Sequence, residues 1–438
     1  MKRRIMLSLV IIAFIVVFGL SGISCKSEAA EETVAETEET VAETEEAVAE
    51  EVEEEIVYED LSILDILETI TDMNSENLDA PRTRDIAVGP DGEAGVSYKE
   101  LLLTGEEIAA IREKADSGEP YTAVVAWHQM RSQKDTVQAL GAKEALEYFG
   151  VKVIDVSEAH GDCETHIKNL MTHAQQNPDL IISVPYSEKA EAETYRKLAQ
   201  DGIKLVTVDL RPYGLSYPDE VQGFVTANDR GNGYTCAEYM GNWLLDVAKI
   251  ENPEVAAVKI SFYHYCTAER IKGWQLGIEE LFPSIKIVEI AGCEGRSETG
   301  TYKPHFDALF ARHPELDGCM PFYDYPALDA ALAAKTAGFK ADEFCITTTD
   351  LNEVSVMEML TDGYIKELST PDPYTVGVSA AILGIKALLG NPGPPFVSVQ
   401  GFAATPENAV EIYETIYRVD ASPELKQIYD EWKAANGG

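Results

Sequence analysis

The residues best suited to chemistry stand just beyond short apolar runs. The run 122–127 closes on Trp127 and is followed by His128 and Gln129, and the run 180–184 leads into Pro185 and Tyr186. Asp209, Arg211 and Tyr213 follow 204–208, and Asn228 and Asp229 follow 223–226. Tyr263, His264 and Tyr265 come after 255–260; Tyr323, Asp324 and Tyr325 come after 317–320. Asp350 follows 344–348, and Asp372 and Tyr374 follow 365–369. Aromatic rings thus alternate with carboxylates, amides and an arginine. That mix suits a small sugar or polyol, whose apolar faces take flat rings while its hydroxyls take Asp, Asn and Arg. Polar loop ends and half-buried tyrosines produce a similar pattern without a ligand, so the eight loops together weigh more than any one residue.

The elements that must position them alternate strictly. With 151–156 and 285–290, these runs make ten predicted strands. Between them lie stretches predicted as helices over 136–149, 164–176, 190–200, 233–249, 268–281, 327–337 and 375–389. Such alternation with near-continuous apolar strands gives an α/β fold with parallel sheets covered on both faces. Ten strands are many for one twisted sheet, so two doubly wound sheets in two lobes are expected. Ligands of such sheets sit at the carboxyl ends of the strands, where the candidate residues stand.

Other chemistries are less well supported. Cys163, His166 and His173 share one side of a predicted helix, with His160 just before it, but a metal needs three or four converging ligands. Flanking the apolar stripe Ile167, Leu170, Met171 and Ala174 explains them, and no metal is expected. His264 between two tyrosines suits a ligand contact better than a general base, since no partnered nucleophile is visible. The sequence has no Gly-x-Ser-x-Gly, His-Glu-x-x-His, Walker loop or Cys-x-x-Cys. Gly231 and Gly233 have no third glycine at the dinucleotide spacing; close helix packing accounts for them, and no cofactor is expected. Asp209, Asp324, Asp350 and Asp372 could pair as acid and base on a glycoside, which keeps a hydrolase as an alternative.

Charge narrows the partners. The 438 residues carry a net charge of −41, which argues against nucleic acid as a partner. Residues 26–60 hold 16 acidic side chains and one lysine, in repeats such as 32–38 and 39–45. This reads as a solvated, self-repelling tether over 26–55. Before it, Lys2, Arg3 and Arg4 precede the apolar stretch 5–20 and then Ser24, Cys25 and Lys26. That order resembles a bacterial lipoprotein signal over 1–25, with Cys25 as the lipidated mature N-terminus. Gly22 and Ile23 depart from the usual residues there, and an uncleaved anchor or a free secreted form remains open. All three put the body outside the cytoplasm. The other six cysteines permit disulfides in that setting, or buried thiols.

From about Tyr121 to Gly390 the chain resembles the ribose-type (type I) periplasmic sugar-binding proteins, the substrate-binding subunits of bacterial ABC importers. The stretches 141–150, 178–183 and 203–209 carry the resemblance, as do Asn228 and Asp229 with Gly231 and Gly233, then 268–274, 313–318 and Asp350. The resemblance implies two Rossmann-like lobes joined by a three-strand hinge. It puts the family's sugar-binding aspartates on Asp209 and Asp350, its asparagine on Asn228 or Asp229 and its arginine on Arg270. Leu210 intervenes before Arg211, and the family's phenylalanine pair gives way to Trp127 and His128. Its second-lobe asparagine becomes Tyr323 or Asp324, and its hinge glutamine gives way to Asp372. The scaffold carries over; ribose as ligand does not.

The expectation is therefore a lipid-anchored, monomeric, non-enzymatic receptor that hands a monosaccharide or polyol to a permease. A receptor for a nucleoside or signal molecule feeding a sensor is the alternative. The expected layout is a preamble over 56–118, a first lobe over 119–226 and 373–392, a second lobe over 227–372, and an extension over 393–438 packed on the lobes.

Overall fold

In a computed structural model the described residues are 57–261, 264–294 and 300–437. The signal and tether readings, Cys25 included, and Tyr263 lie outside them. Three two-residue strands come first: β1 (Leu61–Ser62), β2 (Val96–Ser97) and β3 (Leu102–Leu103). Next come β4 (Thr122–Trp127), β5 (Lys152–Glu158), β6 (Leu180–Val184), β7 (Lys204–Val208) and β8 (Gly223–Ala227). The second half adds β9 (Glu254–Ile260), β10 (Lys286–Cys293), β11 (Gly318–Pro321), β12 (Cys345–Thr349) and β13 (Ile365–Thr370). Last are β14 (Phe396–Val399) and β15 (Phe402–Ala404).

Two larger sheets result. The first runs β2-β14-β8-β7-β6-β4-β5, all parallel. The second runs β10-β9-β11-β12-β13-β15, parallel except for the last pair. Buried strands need apolar residues on both sides, and the first sheet supplies them. Val124, Ala126, Ile181 and Leu205 pack under Leu170, Tyr195 and Leu198. Ala123, Val125, Ile182 and Val206 face a larger core that includes Ala142, Leu146 and Ile382. The alternation of strand and helix is what places both faces in contact with helices.

In each lobe a tight helix pair carries residues of the site. A Cβ on Gly233 would lie 1.8 Å from the carbonyl oxygen of Arg270, so helix Asp229–Asn242 presses directly on helix Tyr265–Leu281. In the first lobe a Cβ on Gly377 would lie 2.1 Å from the carbonyl of Gln138. That contact joins helices Gln133–Tyr148 and Pro373–Leu388. Close helix packing thus accounts for Gly233, as its sequence context suggests.

Three segments join the sheets: Ala227 to Asp229, Thr370 to Pro373, and Val399 to Phe402. The third differs from the expected layout. β14 completes the first sheet and β15 the second, so 396–404 belongs to the lobes rather than to an extension. These strands are four and three residues long, too short for an alternation to register against neighbouring Gly and Pro. The preamble likewise contributes β2 to the first sheet. None of the six described cysteines is in a disulfide.

Candidate functional site

The site forms where β7 and β12 end. Asp209 and Asp350 each occupy the first position past their strand with a left-handed backbone, φ 58° and 62°. Aspartate tolerates that region better than most residues, at a small cost in strain. The same left-handed turn thus follows a parallel strand in each of the two sheets.

In the first lobe Asp209 is held by Lys134, whose Nζ lies 2.5 Å from Oδ2, and by Gln138 Nε2 at 3.2 and 3.3 Å. Both donors sit in the first two turns of helix Gln133–Tyr148. Trp127, fully buried, donates from Nε1 to Gln138 Oε1 at 3.2 Å and so fixes the amide that serves Asp209. The Cys266 thiol, from the second lobe, donates to the Asp209 carbonyl at 3.0 Å. Burial pushes Asp209 up, but the charge and hydrogen bond of Lys134 outweigh it and hold the carboxyl below the usual range. Burial likewise opposes the charge on Lys134, yet Asp209, Asp135 and Asp350 together keep the ammonium more firmly protonated than an ordinary lysine.

Arg270 organises the second lobe. It is 5% exposed; Nε donates to Asp229 Oδ1 at 2.8 Å, and Nη1 and Nη2 donate to Asp350 Oδ2 and Oδ1 at 2.8 and 3.1 Å. Nη1 also reaches the Phe322 carbonyl at 3.3 Å. Such a planar fork suits arginine and not lysine. Asp229 stays above its usual range, because burial exceeds the pull of Arg270. Asp324 opens the next helix and accepts from Asn352 Nδ2 at 2.5 Å and from the Tyr325 amide at 2.8 Å. Burial, then repulsion from Asp350, pushes it up to about 7.

Aromatic residues line the flanks. His128 meets Tyr186 edge to face at 5.9 Å, and the Tyr186 amide is held by Glu191, which pairs with buried His166 at 2.6 Å. His173 has Ser157 at 2.8 Å. Tyr323 shares a hydroxyl contact of 2.8 Å with Tyr302. His264 immediately precedes helix Tyr265–Leu281.

Three expected residues have other partners. Arg211 pairs with Asp91 and, at 3.4 Å, with Glu93 of the preamble. Asn228 accepts from the Gly231 amide and donates to Asp85, both at 2.9 Å. Asp372 caps helix Pro373–Leu388 through Thr375 and accepts from the Ser75 hydroxyl. Their polar groups hold the preamble on the hinge. Sequence reasoning missed Lys134, Gln138 and Asn352, because near a helix start they look like ordinary solvated polar residues.

The family profile described as periplasmic binding protein domain matches residues 132–392. The chain belongs to that family. No curated protein sequence matches it significantly. Among solved structures it is similar to a carbohydrate transporter solute-binding protein of Agrobacterium radiobacter in complex with D-arabinose: 18% identity, TM-score 0.58, covering 68% of this chain and 98% of that one. A solute-binding protein of Agrobacterium vitis bound to α-D-tagatopyranose gives 17% and 0.58 over 69% and 99%. A periplasmic ribose ABC transporter protein of Conexibacter woesei gives 17% and 0.59 over 68% and 97%. The periplasmic binding fold is thus complete in this chain, and the matched domain lies inside the flanking segments.

Those flanks bridge the lobes. The Tyr413 hydroxyl donates to Gln133 Oε1 of the first lobe at 2.9 Å, and the Tyr417 hydroxyl donates to the Leu351 carbonyl of the second at 2.5 Å. Both tyrosines lie on helix Ala409–Tyr417. On the preamble side, Arg84 pairs with Glu238 of the second lobe while Asp91 and Glu93 hold Arg211 of the first.

Proposed function

We propose that this periplasmic binding protein is the solute receptor of an ABC importer, taking a monosaccharide or polyol between its lobes and delivering it to the permease. The carrying observation is the matched pair Asp209 and Asp350, one per lobe at equivalent strand ends, each already held by a cation. Charged acceptors fixed in this way need little reorganisation when they receive ligand hydroxyls. Lys134 and Arg270 supply donors, with Asp229, Asp324, His128, Tyr186 and Tyr323 around them; Trp127 and Gln138 position Asp209. A ligand touching both lobes stabilises the closed form by its greater affinity for it. The protein acts as a carrier, with no bond made or broken. Its place is outside the cytoplasm, anchored through a lipidated Cys25 with the acidic segment 26–55 as spacer; no helix among the described residues is long and apolar enough to cross a membrane.

Thermal-shift titration with aldoses, ketoses, polyols, nucleosides and amino acids tests the receptor reading. A ligand at 100 times its Kd adds about 2.7 kcal/mol of stability. A sugar or polyol that shifts the transition and is recovered unchanged is the expected result; no shift, or a cleaved sugar, overturns the reading. Cys25→Ser, followed by membrane fractionation, tests the anchor: the protein should move from the membrane to the soluble fraction.

A further inference from the structure

Residues 82–97 cross from one lobe to the other. At one end they lie beside the second sheet: Arg82 bridges Phe402 of β15, and the Thr83 amide donates to the Gly401 carbonyl at 3.0 Å. At the other end Val96 and Ser97 form β2, paired with Val397 and Ser398 of β14 in the first sheet. In between, the chain folds back on itself. The Gly92 amide donates to the Gly89 carbonyl at 2.9 Å around Pro90 and Asp91. The Gly89 amide then donates to the Glu93 carbonyl at 2.7 Å and the Gly95 amide to the Ala87 carbonyl at 3.2 Å, closing a hairpin over 87–95. A two-stranded hairpin this short has little stability of its own, so its contacts with the lobes hold it in place.

Those contacts divide between the lobes. On the second lobe the Arg84 amide donates to the Thr235 hydroxyl at 3.0 Å, and its guanidinium forks onto Glu238 at 2.7 and 3.0 Å. A Cβ on Gly231 would lie 1.7 Å from the Arg84 carbonyl oxygen, so the backbones touch there. Tyr265, the first residue of the helix that carries Arg270, donates from its hydroxyl to the Val88 carbonyl at 2.6 Å. On the first lobe Asp91 and Glu93 hold Arg211, two residues past Asp209. Between these anchors Ala87 packs on a small separate core made of Leu210, Phe224 and Phe396 from the first lobe and Tyr265 and Cys266 from the second. Phe224 meets Tyr265 edge to face at 5.6 Å, and the Cys266 thiol donates to the Asp209 carbonyl at 3.0 Å. The lobes therefore touch beside the candidate site, and the hairpin is fastened to both of them at that point.

We propose that residues 82–97 are a latch between the lobes: they favour the closed arrangement before any ligand arrives, and the hairpin lets go of Tyr265 or of Arg211 when the cleft opens. Contacts made in only one arrangement shift the equilibrium toward it by their own free energy. When the lobes rotate apart, Arg84 travels with the second lobe and β2 with the first, because a backbone contact fixes one end and a strand ladder the other. The displacement then falls on the hairpin. Unfolded, the residues between Arg84 and Val96 reach about 40 Å, so the crossing permits opening once the hairpin is released. A latch of this kind slows both entry and release of a ligand. It rests on the receptor reading above for the ligand it retains, while the separation of the lobes can be measured with no ligand at all.

Single-molecule energy transfer in the full chain, between dyes on azidophenylalanine replacing the exposed residues Lys168 and Thr336, one in each lobe, tests this without ligand. The wild type should show one compact population, with an open fraction under about 10%. Tyr265→Phe removes the hydrogen bond to Val88 and should raise the ratio of open to closed about fivefold. Asp91→Asn combined with Glu93→Gln releases Arg211 and should raise it as well; the Asp91 side chain is 76% exposed, so the charge is removed without disturbing a core. All three changes together should raise the ratio further, and a sugar identified by thermal shift should then dissociate several-fold faster than from the wild type. A wild type that is mostly open without ligand, or variants that leave the distribution of separations unchanged, overturns the latch and leaves the receptor reading standing. A compact wild type that the variants open, but that no sugar stabilises, supports the latch and overturns the receptor reading.

Discussion

Replacing Arg270 by alanine leaves Asp229 and Asp350 facing each other across a buried gap. Arg270 contributes one hydrogen bond to the first and two to the second, and among the described residues the pair of carboxylates keeps the Thr226 hydroxyl, 3.2 Å from Asp229, as its one other side-chain donor. Breaking a buried pair by removing one partner costs about 3–5 kcal/mol, because the remaining charge is uncompensated. At roughly 2.1 cal/mol/K per residue, a body of about 380 residues has an unfolding entropy near 0.8 kcal/mol/K, so Tm should fall by about 4–6 °C. The loss should depend on pH with a definite sign. Burial already raises Asp229, and without Arg270 the charge that opposes that rise is gone, so its carboxyl titrates higher still in the folded protein and stability falls as pH rises. The deficit against wild type is therefore larger at pH 8 than at pH 5. Scanning calorimetry of both proteins at the two pH values reads this directly. Arg270→Lys, which keeps the charge but not the fork, should fall between them. A deficit under about 1 kcal/mol, or one equal at pH 5 and pH 8, refutes the assignment of Arg270 as the charge that balances the second lobe.

Other consequences are open to measurement. Lys134→Met removes the ammonium that holds Asp209, so sugar affinity should drop by about tenfold or more in calorimetry and Asp209 should titrate higher; unchanged affinity would show that Lys134 lies outside the site. Glu367 is fully buried in the second sheet, where the Ser369 hydroxyl donates to its Oε1 at 2.6 Å, and burial pushes its carboxyl up to about 8. Its folded pKa exceeds its unfolded value, so its ionisation costs stability increasingly from about pH 4.5 to 8, and Glu367→Gln should flatten the fall of Tm over that range. Five of the six described cysteines are buried, and burial raises Cys236, Cys266, Cys319 and Cys345 above the ordinary thiol range. A thiol reagent should accordingly modify them only after denaturant is added; rapid labelling of the native protein would contradict their burial. Tyr413→Phe combined with Tyr417→Phe removes both hydroxyls that tie helix Ala409–Tyr417 to the lobes, and about 1–3 kcal/mol of stability in urea titration should go with them.

Much of this architecture was readable from the chain. All ten predicted strands are present, three of them with the predicted ends and the other seven shifted at one or both ends by no more than three residues, because most are short apolar or β-branched runs between Gly, Pro or charged breaks. Helix starts were less legible. The helix carrying Lys134 begins at Gln133 rather than Thr136, since its first turn is polar and is anchored by Ser132 instead of by an apolar stripe. Helices Lys303–Arg312 and Glu353–Leu360 escaped notice, being too short for a helical period to stand out.

At the site, local pattern and tertiary structure divide the work. A carboxylate placed just after a buried strand is a property of sequence order, and so Asp209, Asp350 and Asp324 could be named from the chain alone. Which charge answers each carboxylate is a matter of distance in space. Asp209 is answered by Lys134, 75 positions away, and Asp350 by Arg270, 80 away. Arg211, two residues from Asp209 in sequence, turns instead to Asp91 and Glu93, about 120 positions upstream. Asn228 and Asp372, with the composition of ligand contacts, became helix caps because the backbone amides beside them need acceptors first. The sequence by itself determined where strands end and which polar residues stand there. Only the tertiary structure decided which of them keep a free face, since most buried polar groups take a partner that the fold, not the neighbouring sequence, brings within reach.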